Sequence, residues 1–389
     1  MSRSLGGALR VLVVAVAAVA LLGACSSKGK AKEPAKLVKI ENRLVRPHEV
    51  WSRRIGDGGG KYYSGLRVAV ADDALFAGAL NGRVYALDPK NGHTIWRART
   101  KARVISGPTL DDALVLVGTL DGEVIALKRA DGSQVWRGQA PSEALAPPVG
   151  SGDTVVAKAV DGRVYGLDAA SGSHKWTFDR NEPNLSLRGL SPPLILGERV
   201  YVGMDNGKLA QLGLADGQAV WEQTITVPTG RSDVDRMTDI DADLLPSGDG
   251  LYVVTFGGDL TLIDLASGNA RWRRSVRSYS GMALGGDKLF VSDDAGTVWA
   301  FDAASGAVAW KQPGFKNRRL SPPAVFQGFV VVGDFDGHLH WLSTEDGKVV
   351  GRNRVGSDPI TAAPIVAGDL MYVMNSRGLL EAFEARPAK

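Results

Sequence analysis

Eight times in this chain an apolar run ends in a glycine turn and an alternating segment follows, and seven times a second turn then leads to a tryptophan or its equivalent. "NGRVYALDPKNGHTIW" ends at Trp96, "DGEVIALKRADGSQVW" at Trp136 and "DGRVYGLDAASGSHKW" at Trp176. Further copies end at Trp221, Trp272 and Trp310; "DGHLHWLSTEDGKVVG" puts Gly351 at that place, and "RGLLEAFEARP" runs out of chain. The turn glycines are Gly82, Gly122, Gly162, Gly207, Gly258, Gly296, Gly337 and Gly378. Asp-Gly and Asn-Gly pairs tolerate the positive φ of a two-residue hairpin, and the alternation that follows is that of a half-buried strand. A short run after "SGP", "APP" or "SPP" supplies a first strand, where proline is tolerated. Each copy therefore predicts four antiparallel strands in about 40 residues, which is a propeller blade.

The expected fold is all-β: an eight-bladed β-propeller of four-stranded antiparallel blades over residues 46–386. The eighth copy lacks its last strand. "HEVWSRRI" (His48–Ile55) carries Trp51 in a matching setting and is expected to complete the last blade from the N-terminus, leaving no open edge. The tryptophans are read as seam residues between blades.

The remaining sequence divides in two. Residues 1–24 read as a secretory signal, with Arg3 and Arg10 before the apolar run "VLVVAVAAVALL". "LLGAC" then places the protein's one cysteine, Cys25, directly after small residues, so no disulfide can form within the chain. Residues 25–45 are Lys-rich and read as a flexible linker. Charges of both signs are interspersed along the chain, for a net +4, and no basic stripe points to nucleic acid.

Two spacings between turn glycines exceed the rest. The extra residues fall in the loops after Trp176 and Trp221, which are consecutive and so expected to be neighbours on one face. The first contains "NLSLRG", with Leu185 and Leu187 on one side of an extended chain and Arg188 beside them. The second contains "DVDRMTDIDAD", with Asp239 and Asp241. Leucines beside charges on a polar rim suit a protein contact. The competing reading is that the leucines fold back onto the blade and the acids merely solvate the loop. "DIDAD" also has the D-x-D-x-D spacing of calcium loops, but lacks the glycine and the distal glutamate of an EF-hand. His338 and His340 share a strand face without a third ligand and are read as surface or packing residues.

The lipobox-like "LLGAC", the eight blades and the stretches "NLSLRG", "DRMTDIDA" and "VVGDFDGHLHW" together resemble the BamB family, lipoproteins of the outer-membrane β-barrel assembly (BAM) machinery within the wider quinoprotein-type propellers. The resemblance implies cleavage before Cys25 and its acylation. With Ser26 following, it also implies an outer-membrane tether on the periplasmic side. It implies a non-enzymatic subunit without cofactor or metal that docks on the periplasmic POTRA domains of BamA, beside other BAM subunits, and assists barrel precursors. The family's BamA-contacting positions carry over to Leu185, Leu187, Arg188, Asp239 and Asp241. The alternatives are a pyrroloquinoline-quinone dehydrogenase, which a lone cysteine disfavours, and a general envelope scaffold.

Overall fold

Within each repeat the glycine turn forces the chain back on itself, and the apolar strands on either side of it become the two middle strands of a sheet. In blade 1 these are Ala74–Gly78 and Arg83–Leu87, flanked by Val68–Ala71 inside and Thr94–Arg99 outside. Gly82 has φ +77°, and a Cβ there would lie 2.4 Å from the Ala102 carbonyl, so the turn accepts no side chain. The same order, first strand to fourth, recurs through the blades that follow. The computed structural model describes residues 33–60, 62, 64–71, 73–140, 142–144, 146–180, 189, 191–229, 231–232 and 236–388. The signal segment, Cys25, Leu185, Leu187 and Arg188 lie outside the described residues. Ala35–Lys389 forms one compact unit, an eight-bladed propeller.

The last blade is closed as the repeat count requires. Ile365–Ala367, Leu370–Met374 and Leu379–Pro387 come from the C-terminus, and Val45–Arg54 pairs antiparallel with Leu379–Pro387 as the outer strand. Trp51 then sits where each blade's tryptophan sits. Its Nε1 donates to the Pro89 carbonyl of blade 1 at 2.9 Å, as Trp96 does to Arg129, Trp136 to Ala169 and Trp176 to Leu214 in the next blades. Each indole covers the second-turn glycine of the following blade; a Cβ on Gly92 would lie 2.6 Å from Trp51.

A β-bulge aims these tryptophans. The register of each outer strand slips by one residue just before the tryptophan: Ala86 faces Trp96, yet Leu87 faces Thr94. The skipped residue is thrown outward, which is why Val50, Ile95, Val135 and Val220 are exposed.

Blade 7 departs from this pattern for a visible reason. A Cβ on Gly351 would lie 2.5 Å from Val45 Cγ1, so the N-terminal chain fills the space of the absent indole. Leu44 donates its N–H to the Val350 carbonyl at 3.0 Å. Upstream of it, Val38 and Ile40 pack on the core between blades 6 and 7. Ala35 bonds the Lys316 carbonyl at 2.8 Å. Arg318 Nη1 and Arg352 Nη2 donate to the carbonyls of Ala35 and Val38 at 2.9 and 2.6 Å. Residues 35–44, expected to be a leash, are thus a docked strap.

The two arginines are held from below. Arg318 Nε donates to Asp334 Oδ2 at 2.7 Å, and His340 Nε2 meets the same oxygen at 2.8 Å while its Nδ1 accepts from Arg352 Nε. His340 is therefore a buried packing residue. Burial pushes its pKa down, against the pull of Asp334.

Candidate functional site

The two long loops run from Asp179 to Pro193 and from Ile225 to Leu244, joining blades 3, 4 and 5. The structure brings them together. Ser191 Oγ, buried, donates to the Ala242 carbonyl across the gap at 3.0 Å. Gly189 lies against the second loop: a Cβ on it would stand 2.4 Å from Asp241 Oδ1 and 3.3 Å from Asp205 Oδ1.

The acidic stretch is not a solvated rim. Asp239 is 0% and Asp241 7% exposed, and Met237, Ile240, Ala242 and Leu244 are buried with them. The backbone is pinned on both sides: Ile240 N–H bonds the Met204 carbonyl at 3.3 Å, and Phe256 N–H bonds the Asp239 carbonyl at 2.9 Å. Ile240 can enter because its neighbour is glycine; a Cβ on Gly203 would lie 2.4 Å from Ile240 Cγ2. The reading in which these acids merely solvate the loop is corrected on this point. Apolar residues alternate with them, and their burial draws the carboxylates inward.

Asp205, from the glycine turn of blade 4, completes a trio with Asp239 and Asp241; one oxygen of each lies within 4.8 Å of the others. Lys158 faces them from the end of a blade 3 strand. It is 3% exposed and its Nζ donates to the Gly203 carbonyl at 2.8 Å and to Asp205 Oδ1 at 3.2 Å. Burial pushes the Asp241 carboxyl up to about 8, with the charges of Asp239 and Asp205 adding and Lys158 opposing. Neither Asp241 oxygen accepts a hydrogen bond among the described residues. The sequence reading did not single out Lys158 and Asp205.

A cavity of about 430 Å³ is lined by the loops that enter blades 1, 5, 6, 7 and 8. Arg67, entering blade 1, makes two hydrogen bonds of 2.7 and 3.2 Å to Asp243, entering the diametrically opposite blade 5. This bidentate pair joins the lining of the cavity from blade 1 to blade 5. The acid trio already holds an ammonium against Asp205, so it fits a divalent ion poorly.

A family model described as outer membrane protein assembly factor BamB matches residues 48–136, 80–312 and 314–389. The chain belongs to this family. It is 45% identical over 369 residues to the BamB of Pseudomonas aeruginosa, covering 95% of this chain and 97% of that one. It is 44% identical to the BamB of Alkalilimnicola ehrlichii, with 96% of each covered. Among solved structures, BamB from Moraxella catarrhalis superposes with a TM-score of 0.80 at 26% identity, covering 87% of this chain and all of that one. A quinohemoprotein alcohol dehydrogenase from Pseudomonas putida superposes with a TM-score of 0.71 at 14% identity, covering 87% of this chain and 76% of that one; it shares the fold alone. The BamB family is thus supported along nearly the whole chain.

Proposed function

We propose that the chain is a non-enzymatic subunit of the BAM complex, tethered to the periplasmic face of the outer membrane through acylated Cys25. It docks on the POTRA domains of BamA with the loop carrying Leu185, Leu187 and Arg188. The observation that carries this reading is the buried acid trio directly beneath Gly189. Burying carboxylates is costly, so a protein keeps a cluster of them where it has something to hold. Arg188, next to Gly189 in sequence, is the natural cation for Asp239 or Asp241. In this reading the two acids contribute to docking by gripping the loop rather than by touching BamA, and the leucines are left as the apolar anchors.

The test is binding of purified BamA to alanine variants. An interface anchor typically costs about 2 kcal/mol or more on truncation, or roughly 30-fold in affinity. Leu187→Ala and Arg188→Ala should each weaken binding by about that factor and leave the melting temperature nearly unchanged. Lys90→Ala, on an exposed turn of blade 1 on the opposite face, is the control. Equal binding by all three proteins would move the docking site elsewhere on the ring.

A further inference from the structure

The strap over residues 35–44 is held more firmly than a connector requires. Val38 and Ile40 pack into the core between blades 6 and 7, and Gly314 leaves room for the first of them: a Cβ there would lie 2.5 Å from Val38 Cγ2. Arg318, buried, and Arg352, half-buried, fasten the carbonyls of Ala35 and Val38. With Val38 and Ile40 turned inward, the residues around them face solvent. Leu37 is 40% exposed, and Lys36 and Lys39 on either side of it are exposed. The strap therefore carries a leucine between two lysines on its outer side, where a merely structural strap needs only polar residues.

The point where the strap begins is fixed too. Ala35 bonds Lys316, which lies in the connection from the outer strand Val308–Gln312 to the first strand of blade 7, Ala324–Phe326. The two long loops are connections of the same kind, so the strap begins on their face of the ring. Lys316 is exposed there. The side chains of Lys36, Lys39 and Lys316 make no ion pair among the described residues. Cys25 stands ten residues before Ala35, so even a fully extended chain keeps the two within about 36 Å. From Ser26 to Lys39 the sequence holds five lysines against one acid, Glu33. Exposed apolar residues among lysines, close to a lipid-modified end, have the character of a bilayer interface.

We propose that Lys36, Leu37, Lys39 and Lys316 form a contact surface for an anionic phospholipid bilayer. The proposal rests on the anchoring reading above, in which acylated Cys25 holds the chain to the membrane. The lysines meet lipid phosphates, and Leu37 enters the apolar margin beneath the headgroups. These few lysines bind a bilayer weakly on their own, but the tether raises their effective concentration at its surface and makes a weak contact persistent. The ring is then held by a rigid edge as well as by a leash, and the face with the two long loops keeps one attitude to the membrane.

The experiment uses the mature protein, processed from its own precursor, with phosphatidylcholine vesicles that contain or lack phosphatidylglycerol. Acylation of Cys25 leaves no other thiol in the chain, so Leu37→Cys and, separately, Lys90→Cys each take an environment-sensitive fluorophore at one site. With phosphatidylglycerol present, the label at position 37 should shift to the blue and be quenched by headgroup-labelled lipid, and the label at position 90 should do neither. Added salt should weaken the response. Lys36→Glu/Lys39→Glu should abolish it at an unchanged melting temperature, since both lysines are exposed; should that variant fold poorly, Lys36→Gln/Lys39→Gln carries the same test. Identical behaviour of the two labels would overturn the proposal. So would a response at position 37 that is as strong in phosphatidylcholine alone, or one that survives the charge reversal. Flotation of the unlabelled protein separates this surface from the anchor. Flotation with both vesicle types and a silent label at position 37 refutes the surface alone, and flotation with neither refutes both. Flotation only with phosphatidylglycerol refutes the anchor and supports the surface.

Discussion

At the scale of single residues, the informative positions are those whose burial contradicts their chemistry. Asp241 is one. With its carboxyl pushed up to about 8, it is protonated in the folded protein across a window where the unfolded chain has already lost the proton. The unfolded state then binds fewer protons between about pH 4 and pH 8, so stability falls as pH rises through that window and levels off above it. Asp241→Asn removes the effect. Between about pH 5 and pH 8.5 the wild-type melting temperature should drop further than that of the variant, and parallel profiles would contradict the assignment. Gly351 is another. Restoring the tryptophan that the repeat pattern favours would drive an indole into Val45. Overpacking costs typically about 1–3 kcal/mol, so Gly351→Trp should unfold at lower denaturant than wild type, and a more stable variant would show that Val45 gives way. Both positions show where sequence reading stops. The "DIDAD" acids look solvated because charge alone does not reveal that the chain dives between two turns. The Gly351 anomaly was visible, but its cause lies some 300 residues away at Val45. Lys158 did carry a signal: it stands four residues before the turn glycine, where blades 1, 2, 4 and 7 have Gly78, Gly118, Gly203 and Gly333.

At the scale of elements, the blade pattern was legible because the same physics is written eight times. Glycine turns, alternating strands and the closing Trp51 each follow from local residues, and the repeat count predicts the partner of the orphan strand. The parallel pairing of Gly65–Leu66 with Ser106–Gly107 and the strap over residues 35–44 were not, since neither belongs to the repeat. The strap changes what truncations should do. Removing residues 26–34 should leave the melting temperature unchanged. Removal through Ile40 should lower it, because Val38 and Ile40 leave the core between blades 6 and 7. Removal through Trp51 should lower it most, because the last blade loses its outer strand and a buried aromatic, a loss of about 3–5 kcal/mol for the side chain alone. Thermal melts of the three proteins check the order; identical values for the first two would mean the strap contributes nothing.

At the scale of the whole molecule, the ring separates two tasks. Seam tryptophans, the closure strand and the Arg67–Asp243 pair across the channel make a rigid frame, and the two long loops between blades 3, 4 and 5 depart from the repeat on one face. Rigid elements hold a binding loop better than other loops do, and Asp239 and Asp241 of the second loop gather with Asp205 of blade 4, which pairs with Lys158 of blade 3. The propeller fold is shared with dehydrogenases of a different function, so the fold alone does not assign the role; the family does. The most direct test of the account places a photo-crosslinking amino acid at Leu187, and separately at Lys90, in the full-length protein in native membranes. The account predicts a BamA adduct from position 187 and none from position 90. Adducts at 90 but not at 187, or none at 187 with the protein correctly folded, would contradict it.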